Sequence, residues 1–168
     1  MKKVILILLM SCVEVFAQKP SLGILKSVPT NSQQIFSISQ HSYMCDSYGI
    51  IGLQKLLQRE EINSSCKKSL EVFFKQNPSS QYYSQRLLKQ EQQYHIEFKK
   101  QQCILFAQGE VTLSELLLRS GVALLEPSFK DEEYSTYFTR AQESAKREER
   151  GVYKSEVLRN CLGELYKN

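Results

Sequence analysis

The side chains that most often bind metals or transfer protons are few in this chain. Asp46 and Asp131 are its only aspartates, and His41 and His95 are its only histidines. A site built from several aspartates would therefore have to form around two residues. The sequence contains no P-loop, dinucleotide fingerprint, nucleophile elbow or His-Glu-x-x-His motif. These absences argue against the enzyme classes that such motifs identify.

Four cysteines follow the N-terminal segment, namely Cys45, Cys66, Cys103 and Cys161. An even number of cysteines in an exported chain predicts two disulfides, and three pairings are open to four cysteines. We expect Cys45–Cys66 to close a local loop and Cys103–Cys161 to fasten the C-terminal tail. Neither a Cys-x-x-Cys pair nor a suitable histidine spacing is present, so no metal site is expected.

The N terminus predicts export from a bacterial cell. Two lysines precede an apolar run at residues 4–10, and Ala17 is the small residue before an expected cleavage at Gln18. Glu14 interrupts the apolar run well short of the ~20 residues that span a bilayer. An alternative is lipoprotein processing, in which Cys12 becomes the lipidated first residue. We expect a periplasmic or secreted protein with no transmembrane segment after cleavage.

The mature chain, residues 18–168, has the length of one domain, with a tail expected from about residue 154. Removing the signal leaves 20 basic and 17 acidic residues of the original 22 and 18, a net charge of about +3. This excess is too small to indicate a nucleic-acid partner by itself, because such binding usually shows a concentrated basic stripe.

The first half of the chain reads as strands followed by a helix. Apolar stretches at 22–28 and 35–39 flank a turn-favouring Pro-Thr-Asn-Ser sequence at 29–32, which predicts a hairpin. A third extended segment is predicted at 48–53. Asn63-Ser64-Ser65 supplies the start of a helix and Asn77-Pro78 its stop, with apolar residues at helical spacing between them.

The second half predicts two strands and two helices. Residues 94–99 alternate between apolar and polar, which places His95 on the solvent side, and residues 103–106 continue as a buried strand. Thr112 with Glu115 forms a capping box for the next helix, although Ser114 could also cap it, and Gly121 stands where a left-handed residue ends it. A last helix is expected at about 132–150.

Three segments of this second half resemble the staphylococcal nuclease, or thermonuclease-like, family. They are Phe-Ala-Gln-Gly at 106–109, Leu-Leu-Leu-Arg-Ser-Gly-Val-Ala at 116–123 and the alanine-striped segment at 141–153 that ends in Gly-Val-Tyr. The resemblance implies an α+β fold, namely a five-stranded OB-type barrel carrying three helices. Small residues such as Ala141 and Ala145 also suit a helix that lies close to a barrel.

The resemblance implies a calcium-dependent phosphodiesterase site, yet the catalytic positions are degenerate. The family uses carboxylates to hold calcium, a glutamate to activate water and two arginines to bind the phosphate, which together stabilise the charge of the transition state. Here Asn31 and Gln54 take the places of ligand carboxylates, Leu57 that of the glutamate and Lys100 that of an arginine. Asp46, Glu60 or Glu61 could substitute from another register.

A nucleic-acid surface is the other alternative that the residues leave open. The basic pairs Lys67-Lys68 and Lys99-Lys100, with Arg147 and Arg150, could contact phosphates, and Tyr82 and Tyr83 could stack on bases. Glutamates interleave with the last two arginines, which favours an ordinary solvated face.

We therefore expect an exported, disulfide-stabilised nuclease-like domain without catalysis or cofactor, acting as a protein-binding or structural module in the envelope. The alternatives are a secreted or periplasmic calcium-dependent nuclease, and a protein that binds nucleic acid without cleaving it. The sequence does not indicate the partner's identity or the oligomeric state.

Overall fold

The computed structural model describes residues 21–166, which combine one antiparallel sheet with several helices. The expected signal, its cleavage site before Gln18 and the alternative lipidation site at Cys12 lie outside the described residues. The strands are β1 (Ser21–Thr30), β2 (Gln33–Ile38), β3 (His41–Asp46), β4 (Ile50–Gly52), β5 (Gln93–Lys99), β6 (Gln102–Gln108), β7 (Val111–Thr112) and β8 (Ala123–Leu125). The α-helices are α1 (Leu53–Leu56), α2 (Ser64–Gln76), α3 (Tyr83–Leu87), α4 (Leu113–Arg119), α5 (Ser135–Arg147) and α6 (Glu156–Gly163).

Six strands form one sheet in the order β3-β2-β1-β5-β6-β7, and β4 pairs with β8 separately. The mixed α+β class is confirmed, but the expected closed five-stranded barrel is not what this sheet forms. Its two ends do approach each other, because Ser47 forms a parallel bridge with Cys103 and the Tyr48 N–H donates to the Cys103 carbonyl at 2.9 Å. One bridge is not a ladder of hydrogen bonds, so the sheet remains open.

The predicted hairpin is confirmed as β1 and β2, which turn at Asn31-Ser32. Strand β3 was not predicted, since its residues 41–44 are all exposed and do not alternate between apolar and polar side chains. The predicted extended segment at 48–53 is only partly a strand, because β4 covers three residues and α1 begins at Leu53. The predicted strands of the second half correspond to β5 and β6, and His95 is exposed as expected.

Two of the predicted helix starts are confirmed in atomic detail. The Asn63 side chain accepts a hydrogen bond from the Cys66 N–H at 2.8 Å, and α2 extends to Gln76. The Thr112 hydroxyl caps α4 by accepting from the Glu115 N–H, whereas Ser114 instead donates to the Tyr48 carbonyl at 2.8 Å. Side-chain capping therefore marked the N terminus of both α2 and α4 correctly in the sequence.

The segment after α4 and the segment after α5 contact each other through backbone atoms. Gly121 has φ +67°, and a Cβ built on it would lie 2.3 Å from the Arg150 carbonyl oxygen. The Val152 N–H donates to the Gly121 carbonyl at 3.0 Å. Gly121 is thus required both for its left-handed conformation and for the close approach. Ala145, which is fully buried, is the small residue expected on α5.

Both disulfides form, but the expected pairing is wrong. Cys45 of β3 is bonded to Cys103 of β6, and Cys66 of α2 is bonded to Cys161, with Cα–Cα distances of 5.5 and 5.7 Å. The predicted tail from residue 154 contains α6, which packs against α2 and brings Cys161 to Cys66. Pairing each cysteine with the next one in the sequence was wrong because the curled sheet brings Cys45 to Cys103 and the packing of α2 on α6 brings Cys66 to Cys161.

Asp131 forms a buried hydrogen-bonded centre between the sheet and α5. Its carboxylate accepts from the Lys99 ammonium at 2.8 Å, the Tyr48 hydroxyl at 2.9 Å and the Glu133 and Tyr134 N–H groups at 3.0 Å. Burial alone would raise the pKa of this carboxyl, but these donors outweigh it and lower the pKa to about 2. The Lys99 ammonium also lies over the rings of both tyrosines.

None of the helices within residues 21–166 combines the length and the apolar character that crossing a bilayer requires.

The Gly121 contact predicts that Gly121→Ala is far more destabilising than Gly109→Ala. Both glycines have positive φ, but a Cβ at Gly109 would meet nothing within 4 Å. The strain of a left-handed alanine, about 1 kcal/mol, should be the whole cost at Gly109, whereas the collision with backbone should at least double it at Gly121. Urea unfolding of both variants measures this difference, and equal losses would contradict the described contact.

The Asp131 centre predicts a specific loss of stability in acid. Because the folded-state pKa of about 2 lies below the ordinary aspartate value, the carboxylate stabilises the fold above pH 4, and this contribution, about 2 kcal/mol, is lost as the pH falls towards 2. The stability difference between wild type and Asp131→Asn should therefore shrink over that interval. Unfolding free energies measured from pH 7 to 2 test this.

Asp46→Asn is the matched control for Asp131→Asn. Asp46 pairs with Lys55 at 2.8 Å, but both side chains are more than one-third exposed. A pair of this kind contributes at most about 1 kcal/mol, so its loss at pH 7 should be much smaller. Equal losses from the two variants would contradict the special role of Asp131.

Candidate functional site

The buried Asn31 side chain connects the β1–β2 turn to a distant segment of the chain. Its Nδ2 donates to the Ser80 carbonyl at 2.6 Å, and its Oδ1 accepts from the Ser84 N–H at 3.0 Å. The Ser84 hydroxyl in turn donates to the Asn31 carbonyl at 2.7 Å. An amide supplies one donor and one acceptor in this arrangement, which a carboxylate could not do.

Gln54, the second predicted ligand position, contacts the same segment. Its Nε2 donates to the Gln81 carbonyl at 3.3 Å. The segment consists of a 3-10 turn, Pro78–Tyr82, and helix α3, and we call it the 78–87 segment. Gln85 adds a further bond by donating to the Val28 carbonyl at 2.9 Å. Asn31 and Gln54 thus bind the 78–87 segment of the protein.

The oxygen atoms around this turn do not form a suitable ligand set for the calcium ion that the family resemblance implies. Three buried oxygens, Thr30 Oγ1, Ser32 Oγ and Gln54 Oε1, have no hydrogen-bond partner among the described residues, but all three are neutral. The Asn31 Oδ1 is already occupied by an N–H donor. Calcium sites in proteins rely on carboxylates to offset dehydration, whereas unpaired neutral oxygens suit ordered water.

The other two predicted catalytic positions lie apart from this turn. Leu57 directly follows α1 and packs against the hydrophobic core, so it is a structural residue. Lys100 lies in the β5–β6 turn with φ +49° and is exposed. The structure therefore brings Asn31 and Gln54 to one segment, but it does not gather all four positions around a single point.

The acidic residues considered as substitutes are also not gathered into a ligand set. The Asp46 carboxylate accepts from Lys55, and Glu60 and Glu61 are exposed in the turn after α1. Within residues 21–166, no three His, Cys, Asp or Glu side chains are arranged so that they could hold a metal ion.

A cleft of about 490 Å³ lies beside the β3–β4 connection and is rich in positive charge. We call it the basic cleft; its charged lining consists of Lys55, Arg59, Lys100, Lys130 and Glu126. The Tyr48–Ile51 backbone and the Phe129 ring form further walls. Two of these cations are already paired, Lys55 with Asp46 and Arg59 with Glu126. The charge that remains comes from Lys100 and Lys130 and suits an anionic ligand.

Different elements position the cations of the basic cleft. Lys55 on α1 and Arg59, three residues beyond the end of that helix, both line the cleft, and Arg59 is held by Glu126 at 2.9 Å. Lys130 precedes Asp131, whose hydrogen bonds fix this turn. Lys100 and Lys130 form no ion pair with any residue in the described part of the chain, so their charge is available to a ligand.

Most of the basic cleft was missed in the sequence. Among its cations only Lys100 was a predicted site residue, because the others come from separate segments that no local pattern connects. The other basic residues considered for phosphate contacts do not line this cleft. Lys67 and Lys68 lie on α2, Lys99 is the last residue of β5, and Arg147 and Arg150 lie at the end of α5 and three residues beyond it. Tyr82 and Tyr83 belong to the 78–87 segment and do not line it either.

No protein-family model matches the chain, and a search of curated proteins finds none that is significantly similar to it.

Proposed function

We propose that this protein is an exported binding module of nuclease-like type that does not hydrolyse phosphodiesters. The main support is the Asn31 amide, which by the resemblance takes the place of a calcium-binding carboxylate and which holds Ser80 and Ser84. A side chain engaged in this way is not available to hold a metal ion, which argues against metal-dependent hydrolysis at this position.

The kinship with the nuclease family is part of this proposal. Two of the segments that carry the resemblance, at 116–123 and 141–153, contact each other through Gly121 and Arg150. The parallel approach of β3 to β6 also supports an OB-type arrangement, in which an open sheet curls towards a barrel. Two disulfides suit a protein that works in an oxidising compartment, which supports export.

An exposed apolar row on the outer face of the sheet supports a protein partner. Met44 of β3 is 64% exposed, and it lies directly opposite Ile35 of β2. On β1, Leu22 is 53% exposed, and Ile24 lies on the same outer face. Exposed apolar residues that lie together on a surface are typical of protein interaction sites.

The proposal predicts that calcium neither stabilises the protein nor activates cleavage, even after Asn31→Asp. In the variant, a second carboxylate oxygen would face the Ser80 carbonyl where an N–H donor was, which should cost about 1–3 kcal/mol. Melting temperatures of both proteins with calcium and with chelator, alongside digestion assays on single-stranded DNA and RNA, provide the test.

Asn63→Asp is the matched control, because aspartate caps a helix as well as asparagine does and this variant should melt like wild type. If calcium raised the melting temperature of wild type or Asn31→Asp and chelator-sensitive cleavage appeared, the nuclease alternative would replace the proposal.

A second candidate function, binding of single-stranded nucleic acid without cleavage, is favoured by the basic cleft. The exposed Lys100 and Lys130 side chains line this cleft together and can contact the phosphates of a single strand. The small net charge of the chain does not oppose this, since the positive groups are locally concentrated.

This second candidate predicts salt-dependent binding of single-stranded DNA that is weakened about ten-fold by the double variant Lys100→Gln, Lys130→Gln. Fluorescence anisotropy of a labelled oligonucleotide measures it. The double variant Lys68→Gln, Lys75→Gln removes two exposed lysines from α2 and should leave affinity unchanged. Equal weakening by both pairs would indicate nonspecific attraction to charge.

A further inference from the structure

A second cleft, opposite in charge to the basic cleft, lies between the β6–β7 region and the start of α5. It has a volume of about 510 Å³, and we call it the acidic–aromatic cleft. Its principal lining residues are Glu97, Glu110, Glu115 and Glu133 with Phe106, Tyr134, Tyr137 and Phe138. Neither the predicted site nor the basic cleft includes any of these residues.

The aromatic wall has a rigid base and an open rim. Tyr134 and Phe138 are buried, and their ring centroids lie 5.7 Å apart. Tyr137, which is 57% exposed, forms the rim on α5. The buried pair holds the cleft in shape, and the exposed ring has a free face for a ligand. Aromatic rings do not ligate metal ions, but they attract organic cations through their π-electrons.

The charges around the cleft are predominantly negative. Glu110 is exposed and forms no ion pair within the described residues, and Glu97 accepts from the Tyr134 hydroxyl at 3.2 Å. Glu115 pairs with Arg119, and Glu133 lies 3.6 Å from the Lys99 ammonium, which is already paired with Asp131. Arg119 and the shared Lys99 therefore offset part of the charge of the four glutamates. Arg140 lies nearby, in an adjoining pocket that Tyr137 and Glu115 also line.

The surroundings of the Tyr134 hydroxyl agree with this charge distribution. Burial raises the pKa of Tyr134, and the negative charges of Glu97 and Glu133 raise it further. The glutamates that line the cleft favour a positively charged occupant and disfavour nucleic acid.

We infer that the acidic–aromatic cleft receives an arginine side chain from a basic segment of a protein partner. The guanidinium group can stack on the Tyr137 ring and donate two parallel hydrogen bonds to a glutamate such as Glu110. Its aliphatic stem fits the apolar wall that Phe106 and Val111 provide. This assignment rests on the proposed function and names the chemistry by which the module binds its partner.

A fluorescein-labelled octapeptide of alternating glycine and arginine tests the assignment by fluorescence anisotropy at low salt. The same peptide with citrulline has nearly the same shape without the charge and should bind much more weakly. Tyr137→Ala and Glu110→Gln should each weaken binding of the arginine peptide by about five-fold, because each removes one exposed cation contact.

Matched controls separate the cleft from general surface effects. Tyr82→Ala removes a tyrosine that is 51% exposed elsewhere, and Glu71→Gln removes an exposed glutamate from α2. Both should bind the peptide like wild type. Equal binding of the citrulline peptide, no binding of the arginine peptide, or the same loss in control and cleft variants would overturn the assignment.

The outcome is separable from that of the proposed function. If peptide binding fails while calcium causes neither stabilisation nor cleavage, only the cleft assignment is refuted. If the peptide binds as expected but the chain proves to be a calcium-dependent nuclease, the proposed function is refuted and the cleft remains an arginine site.

Discussion

The carboxylate of Asp131 is the point at which the sheet, the β3–β4 connection and the start of α5 are fixed to one another. Lys99 comes from the end of β5, Tyr48 from the connection, and the Glu133 and Tyr134 N–H groups from the turn before α5. A buried aspartate without these donors would be strongly unfavourable, so the charged group and its partners specify one arrangement together.

The two clefts depend on this centre because its members contribute to both. Tyr48 lines the basic cleft, and Tyr134 lines the acidic–aromatic cleft. Lys130 precedes Asp131 in the basic cleft, whereas Glu133 follows it in the acidic one. A single short turn thus presents opposite charges in two different clefts, and a change that loosened it would alter the shape of both.

The sequence predicted the elements whose signals are local. The N-caps Asn63 and Thr112 and the left-handed Gly121 were recognisable because each acts within one turn of its own helix. Strand β3 was missed because its exposed residues show no alternation, and α6 was read as a tail. The cysteine pairing could not be derived, since it depends on how the sheet curls and on the packing of α2 against α6.

The same distinction applies to the candidate site. Asn31 and Gln54 could be identified as departures from a catalytic pattern. No local sequence signal predicted their hydrogen bonds to Ser80 and Gln81, which lie 49 and 27 residues further along the chain. Those bonds arise only when the 78–87 segment packs on the hairpin. The clefts likewise combine side chains from separate elements, and so the net charge of each cleft could not be predicted from neighbouring residues in the sequence.

The cysteine pairing has a consequence for how the chain becomes oxidised. Cys45–Cys103 and Cys66–Cys161 enclose overlapping stretches of sequence, with separations of 58 and 95 residues. A chain that enters an oxidising compartment N terminus first presents Cys45 and Cys66 before either native partner. Oxidation in order of arrival would join these two cysteines, and the native bonds could then be reached only by thiol–disulfide exchange. Under that order of events, the native pairs form only if folding precedes oxidation or if a disulfide isomerase acts on the chain.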